Sequence, residues 1–178
     1  MNPLALIDKY YPEENELKHI LLTHSRSVAD KALAMARNHP ELNLDLAFVE
    51  EAAMLHDIGI FRTDADEIHC FGTYPYICHG YLGSELVAAE GFPKHALVCE
   101  RHTGAGLSLQ VFWNRIYRFR IVRWCRSVWK NRLFVLLISS FPKRNWTGRR
   151  VWKKARNSIA KYGEEGLIRF DHWCELFL

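Results

Sequence analysis

Between Glu100 and Glu164 the chain has no acidic residue, although 20 Asp and Glu occur among its 178 positions. The same stretch holds 16 of the 24 Lys and Arg, so the net charge of +4 conceals a basic segment and an acidic remainder. A split of this kind ordinarily marks nucleic-acid or membrane-surface binding. There is no CxxC pair among the five cysteines, which excludes zinc-ribbon and dithiol redox motifs; odd in number and unevenly spaced, they read as reduced thiols of a cytoplasmic protein. No apolar run is long enough to span a bilayer, since the longest is Leu133 to Ile138. The N-terminus lacks a basic region followed by an apolar stretch, so no secretion signal is expected and membrane association is not. Internal repeats and low-complexity tracts are absent as well. The glycines of His102-Thr-Gly-Ala-Gly are too few, and fall too late after a helix, to cradle a phosphate.

What is present is helical. At 49% hydrophobic residues the chain can bury one core without disulfides, so a single domain over 1–178 is expected. Residues 2–11 read as a short helix and 14–38 as a long one, where Leu17, Leu21, His24, Val28 and Met35 form a stripe closed by Pro40. A third helix over 44–56 turns Phe48, Val49, Ala52, Ala53 and His56 inward, with Gly59 as its stop. Residues 60–76 read as a loop punctuated by Gly72 and Pro75. Helices follow at 77–90, with His79, Leu82, Leu86 and Val87 inward, and at 93–101, where proline suits the first turn. Helical pattern returns over 152–178. The absence of alternating strands predicts an all-α bundle.

His24, the doublet His56-Asp57, His79 and His102 are the residues most able to carry chemistry. A single histidine on an apolar stripe is usually a hydrogen-bonded core residue. An inward carboxylate beside it is different, because burying that charge without a cation or arginine costs several kcal/mol, roughly. Imidazole and carboxylate together suit a hard or borderline divalent ion. Such an ion acidifies water and polarises a phosphoryl oxygen, which is the chemistry of phosphate-ester cleavage. Arg26, Lys31 and Arg101 lie near the expected site as possible phosphate contacts, with solvated surface charge as the plainer reading of each.

His24 followed by the doublet within AAMLHDIGI resembles the HD superfamily of metal-dependent phosphohydrolases, in its small HDIG-type members. The resemblance covers residues 14–108 and 152 to the end. It implies an all-α HD-type bundle in which His24, His56 and Asp57 bind a divalent ion such as Mn, Fe, Mg, Zn or Ni. Relatives holding two ions add histidines in the contexts of His79 and His102, with the aspartate bridging. The implied substrate is a small phosphorylated compound, a nucleotide being one such class. His69 and His95 are read as loop or surface residues.

The departure from that pattern lies at 111–150. The family completes its metal site with a later Asp, commonly in an ADK context, and no carboxylate is available there. Asp171 is a poor substitute, since RFDHW resembles the family's ordinary C-terminal helix. The segment is instead rich in Arg and contains Trp113, Trp124, Trp129 and Trp146. Joining the third base of each codon to the next two converts Trp113-Asn114 and Trp129-Lys130 to Glu, Trp146-Thr147 to Asp and Trp124-Cys125 to Val. With permitted synonymous codons the shifted frame also yields the absent ADK. A pair of compensating frameshifts near residues 110 and 151 is therefore the first reading of this segment, testable in the coding DNA. The alternatives are a non-catalytic nucleotide- or partner-binding HD module with an incomplete site, and a nucleic-acid binder using the Trp and Arg side chains.

Overall fold

The computed structural model describes residues 1–102, 156, 157, 159, 160 and 164–177. The chain divides into two compact units, Met1–Glu100 and Arg101–Leu178, which are treated in turn. The ADK frame, the frameshift and the basic Trp-rich segment all fall outside the described residues.

In the first unit, each opening helix starts on a side-chain cap. α1 (Pro3–Tyr10) has Pro3 in its first turn and Asn2 accepting the Ala5 N–H. α2 (Glu16–Asn38) begins at Asn15, which accepts the Lys18 N–H. α3 (Leu46–Leu55) begins at Asp45, which accepts from Phe48. Caps of this kind stabilise a helix by about 1 kcal/mol each. The inner stripe of α2 is completed by Ser25, Ala29, Ala32, Leu33 and Ala36, and it packs against α3, whose Val49, Ala52 and Ala53 are buried. Small residues on both faces permit close approach, which brings the histidines of the two helices together. Lys18 links α1 to the start of α2 through Asp8 and Glu14.

The stretch expected to be a loop is more ordered than its pattern suggests. It forms a small sheet of β1 (Thr63–Ala65), β2 (Cys70–Phe71) and β3 (Tyr74–Pro75), in the order β2-β1-β3. β1 pairs antiparallel with β2 and parallel with β3, and 3-10 turns lie at Ile60–Arg62, Asp66–Ile68 and Tyr76–Cys78. Strands of two or three residues are too short to display alternation, so their pairing leaves no periodic trace. Gly72 marks a close approach here, because a Cβ would lie 2.2 Å from the carbonyl oxygen of Arg62. α4 (His79–Ala89) and α5 (Pro93–Arg101) follow. The all-α class expected from the sequence holds, with this sheet as a minor insertion.

His95 is not a surface or loop residue. It is buried on α5, sits between the rings of Phe48 and Phe92, and meets the Glu51 carboxylate at 3.0 Å. The Met1 ammonium shares Glu51, and Asp45 adds a more distant negative charge. Burial pushes the imidazole below its ordinary value of 6.5, against the pull of Glu51. The neutral form is thus the folded form, and its contribution is complete above the unfolded value and lost as pH falls through the lowered one. His95→Gln is expected to lose less thermal stability than wild type between pH 6.5 and 5, measured by circular dichroism melts at fixed ionic strength. Parallel curves for the two proteins would overturn this assignment.

In the second unit the described residues include helical positions 156, 157, 159 and 160, and α6 (Glu164–Phe177). Ile159 and Phe170 are buried. Asp171 is held by Arg156 in a two-pronged pair with Nε and Nη2 at 2.8 Å, so this carboxylate serves the unit itself.

Candidate metal centre

α3 ends at Leu55, and His56 still has helical backbone angles, so its side chain continues the buried face of the helix. Asp57 comes next on the turn and is 7% exposed. His24 approaches from α2, its ring 5.2 Å from that of His56. His79 opens α4. Around the Asp57 carboxylate, His24 Nε2 lies 3.5 Å and His56 Nε2 3.3 Å from Oδ2, while His79 Nε2 lies 3.3 Å from Oδ1. The ligand atoms of His24, His56 and Asp57 are all within 4.8 Å of one another.

Two of the three rings are oriented by backbone. His56 Nδ1 is 2.7 Å from the carbonyl oxygen of Ala53, and His79 Nδ1 is 2.5 Å from that of Tyr76. A carbonyl can only accept, so Nδ1 carries the proton in each ring. In the neutral imidazole, Nε2 then presents a lone pair toward a carboxylate oxygen, an arrangement that requires positive charge between them. That charge is either a proton or a metal ion. Burial opposes charging His56, yet the adjacent Asp57 outweighs it and raises the imidazole above 6.5. The same attraction acts on a divalent cation. An ion with bonds of about 2.1 Å to nitrogen and oxygen sets neighbouring ligands about 3.0–3.4 Å apart, close to the separations seen here. Donor chemistry, tautomer and spacing therefore fit a borderline divalent metal.

Gly59 acts differently from the helix stop expected of it. Its φ is −83°, outside the left-handed region that favours glycine. A Cβ at this position would lie 2.3 Å from the His79 carbonyl oxygen and 2.4 Å from the Gly83 nitrogen. Glycine is required because the backbone of α4 rests directly on the turn, and this contact delivers His79 to Asp57. Tyr76 was not singled out by sequence reasoning, yet its ring stacks on His79 at 4.5 Å and its carbonyl fixes the tautomer. No motif or period points to it.

The remaining sequence candidates occupy varied positions. His102 is buried immediately after α5, in the second unit. Arg26 is engaged by two carboxylates, Asp30 at 2.8 Å and Glu50 at 2.6 Å, which hold its guanidinium on the α2 and α3 surface. Lys31 is half-buried on α2, and desolvation lowers its ammonium pKa. Arg101 is the half-buried last residue of α5. His69 is exposed, as expected.

The HD domain family model matches residues 21–114, more than half the chain. An uncharacterized protein of Methanocaldococcus jannaschii is 33% identical over 96 residues, covering 53% of this chain and 48% of the relative. A tRNA (cytidine(56)-2'-O)-methyltransferase of Thermoplasma volcanium is 32% identical over 88 residues, covering 49% of this chain and 22% of that protein. The chain thus spans less than half the length of these curated relatives. No solved structure gives a significant match. With His24, His56 and Asp57 brought together on the helices that the matched stretch supplies, the chain belongs to the HD domain family.

Proposed function

We propose that this chain is a metal-dependent phosphohydrolase acting on a small phosphorylated compound, a nucleotide being one such class. The observation that carries the reading is the Asp57 carboxylate with three imidazole nitrogens within 3.5 Å of it. His24, His56 and Asp57 would hold one divalent ion, and His79, sharing Asp57, would help to hold a second, as the family resemblance implies. Bound there, such an ion supplies Lewis acidity, making hydroxide available near neutral pH and polarising a phosphoryl oxygen. The chain's own part is orientation: Ala53 and Tyr76 keep Nδ1 protonated, so His56 and His79 can ligate only through Nε2. Asp57 brings anionic charge, which raises affinity for the cation and limits the positive charge left to the site. Arg101 and Lys31 are proposed contacts for substrate phosphate, while Arg26 is less available because Asp30 and Glu50 already occupy it.

A cytoplasmic location is the matching expectation, supported by cysteines that are odd in number, unevenly spaced and without a CxxC pair. No helix among the described residues is long and apolar enough to cross a membrane. A second reading, a nucleotide- or partner-binding module without turnover, rests on the absence of any carboxylate between Glu100 and Glu164 to complete the ligand set.

The decisive experiment loads metal-free full-length protein with Mn²⁺, Fe²⁺, Mg²⁺, Zn²⁺ or Ni²⁺ and follows release of phosphate from nucleoside monophosphates and of nitrophenol from p-nitrophenyl phosphate. Turnover that needs the metal and disappears in His56→Ala is expected. Stoichiometric metal binding with nucleotide-induced stabilisation but no product would replace the catalytic reading with the binding one. Failure to bind any of these ions would remove the catalytic reading.

A further inference from the structure

Tyr11 lies outside the stretch matched by the family model and at the end of the short helix α1. Its side chain nevertheless reaches the turn that carries Asp57. The residue is 5% exposed, and its ring meets Phe61 edge-on at 5.1 Å. The hydroxyl donates to the Ile58 carbonyl at 2.8 Å and receives the Phe61 N–H at 3.4 Å. On either side the turn is closed by 3-10 bonds, Ile60 N–H to Asp57 and Arg62 N–H to Gly59. The Tyr11 hydroxyl fills the rung between them, standing where Phe61 N–H would otherwise meet Ile58 directly.

A phenol inserted in this way holds the turn open by the width of one oxygen atom. Ile58 directly follows Asp57, so a bond to its carbonyl, in the Ile58–Gly59 peptide, restrains the backbone one residue beyond the carboxylate. Burial pushes the phenol above its ordinary range, so it remains a neutral donor throughout the physiological pH range. The α4 backbone presses on Gly59 from another direction. The turn is therefore held by one element on each side, of which only α4 contributes a metal-ligating residue.

We infer that Tyr11 is a positioning residue for the metal centre, its hydroxyl acting as a rung of the Asp57 turn that aims the carboxylate between His24, His56 and His79. The inference rests on the metal reading given above. Outer-shell partners of metal ligands typically affect affinity about 10- to 100-fold. Tyr11→Phe keeps the ring and removes both hydrogen bonds, which lets the turn close on itself and moves Asp57.

The test uses full-length protein and Co²⁺, whose visible d–d bands report ligand geometry. Wild type is expected to bind Co²⁺ with bands typical of nitrogen and oxygen ligation. Y11F is expected to bind about 10-fold more weakly, with shifted bands and an unchanged far-ultraviolet spectrum. Tyr10→Phe, which loses only a bond to Glu90, should match wild type in both readouts. Wild-type affinity and bands in Y11F would overturn the role of Tyr11 while leaving the metal reading intact. Failure of wild type to bind Co²⁺ would remove both. Should Y11F not fold, amide exchange of wild type decides: Co²⁺ is expected to slow exchange at Phe61 at least 10-fold, and unchanged exchange would overturn the inference.

Discussion

Asp57→Ala protein is expected to bind divalent ions at least about 100-fold more weakly than wild type, beyond the usual effect of an outer-shell change, and to show no metal-dependent hydrolysis. Three imidazole nitrogens approach this one carboxylate, so its loss removes the common partner of His24, His56 and His79. It also removes the anion that offsets the cation's charge in a buried setting, where screening by water is weakest. The metal-free variant should still fold, because the helix caps, the α2 and α3 packing and the Tyr11 rung do not involve the carboxylate. His56 would then revert toward the neutral state favoured by its burial, with the Nδ1 bond to Ala53 kept. Calorimetric titration with Mn²⁺ and Zn²⁺, beside a chemical denaturation curve, separates the two effects. Unchanged affinity in a folded variant would show that the metal, if bound, is held elsewhere.

Gly59→Ala is expected to destabilise the fold by about 3 kcal/mol or more, the upper range for forcing atoms into a packed interior. The added methyl would meet backbone atoms of His79 and Gly83, at 2.3 and 2.4 Å, and neither can swing away as a side-chain tip could. Relief requires α4 to move off the turn. His79 rides on the first turn of α4, so the same movement withdraws its Nε2 from Asp57 and weakens metal binding. Gly83→Ala offers a graded comparison, since its nearest contacts would be 3.1 Å to the Gly59 nitrogen and 3.3 Å to an Ile58 methyl, which demand smaller shifts. Urea denaturation should rank wild type, Gly83→Ala and Gly59→Ala in falling order of stability. A Gly59→Ala protein as stable as wild type would mean that α4 does not rest on this turn as described.

The helices were legible because each announces itself locally. Proline opens α5, and the apolar stripe of α2 runs from Leu17 to Met35 and is closed by Pro40. His24 was placed on the inner side by that stripe, and His56-Asp57 by its position at the end of another. His95 was misread because its meaning lies in Glu51, 44 positions earlier, and in two aromatic rings from other parts of the chain. The sheet at 63–75 was missed for a similar reason, its strands being too short to carry a period and its order depending on pairing across turns. Gly59 was recognised as significant but for the wrong cause, since a glycine after a helix suggests a left-handed cap and only the neighbouring helix reveals a steric one.

The order of residues along the chain by itself determined that the helices form, that imidazole and carboxylate meet at the end of α3, and that no acidic residue lies between Glu100 and Glu164. Periodicity and capping are properties of neighbours within about four positions, and a sequence displays them directly. Tertiary structure alone decided which nitrogen of each ring faces Asp57, that the Tyr76 and Ala53 carbonyls fix that choice, and that Tyr11 completes the turn. Those outcomes depend on angles and distances between remote segments, where a few tenths of an ångström separate a hydrogen bond from a clash. Packing sets such distances, and packing is a property of the whole folded unit.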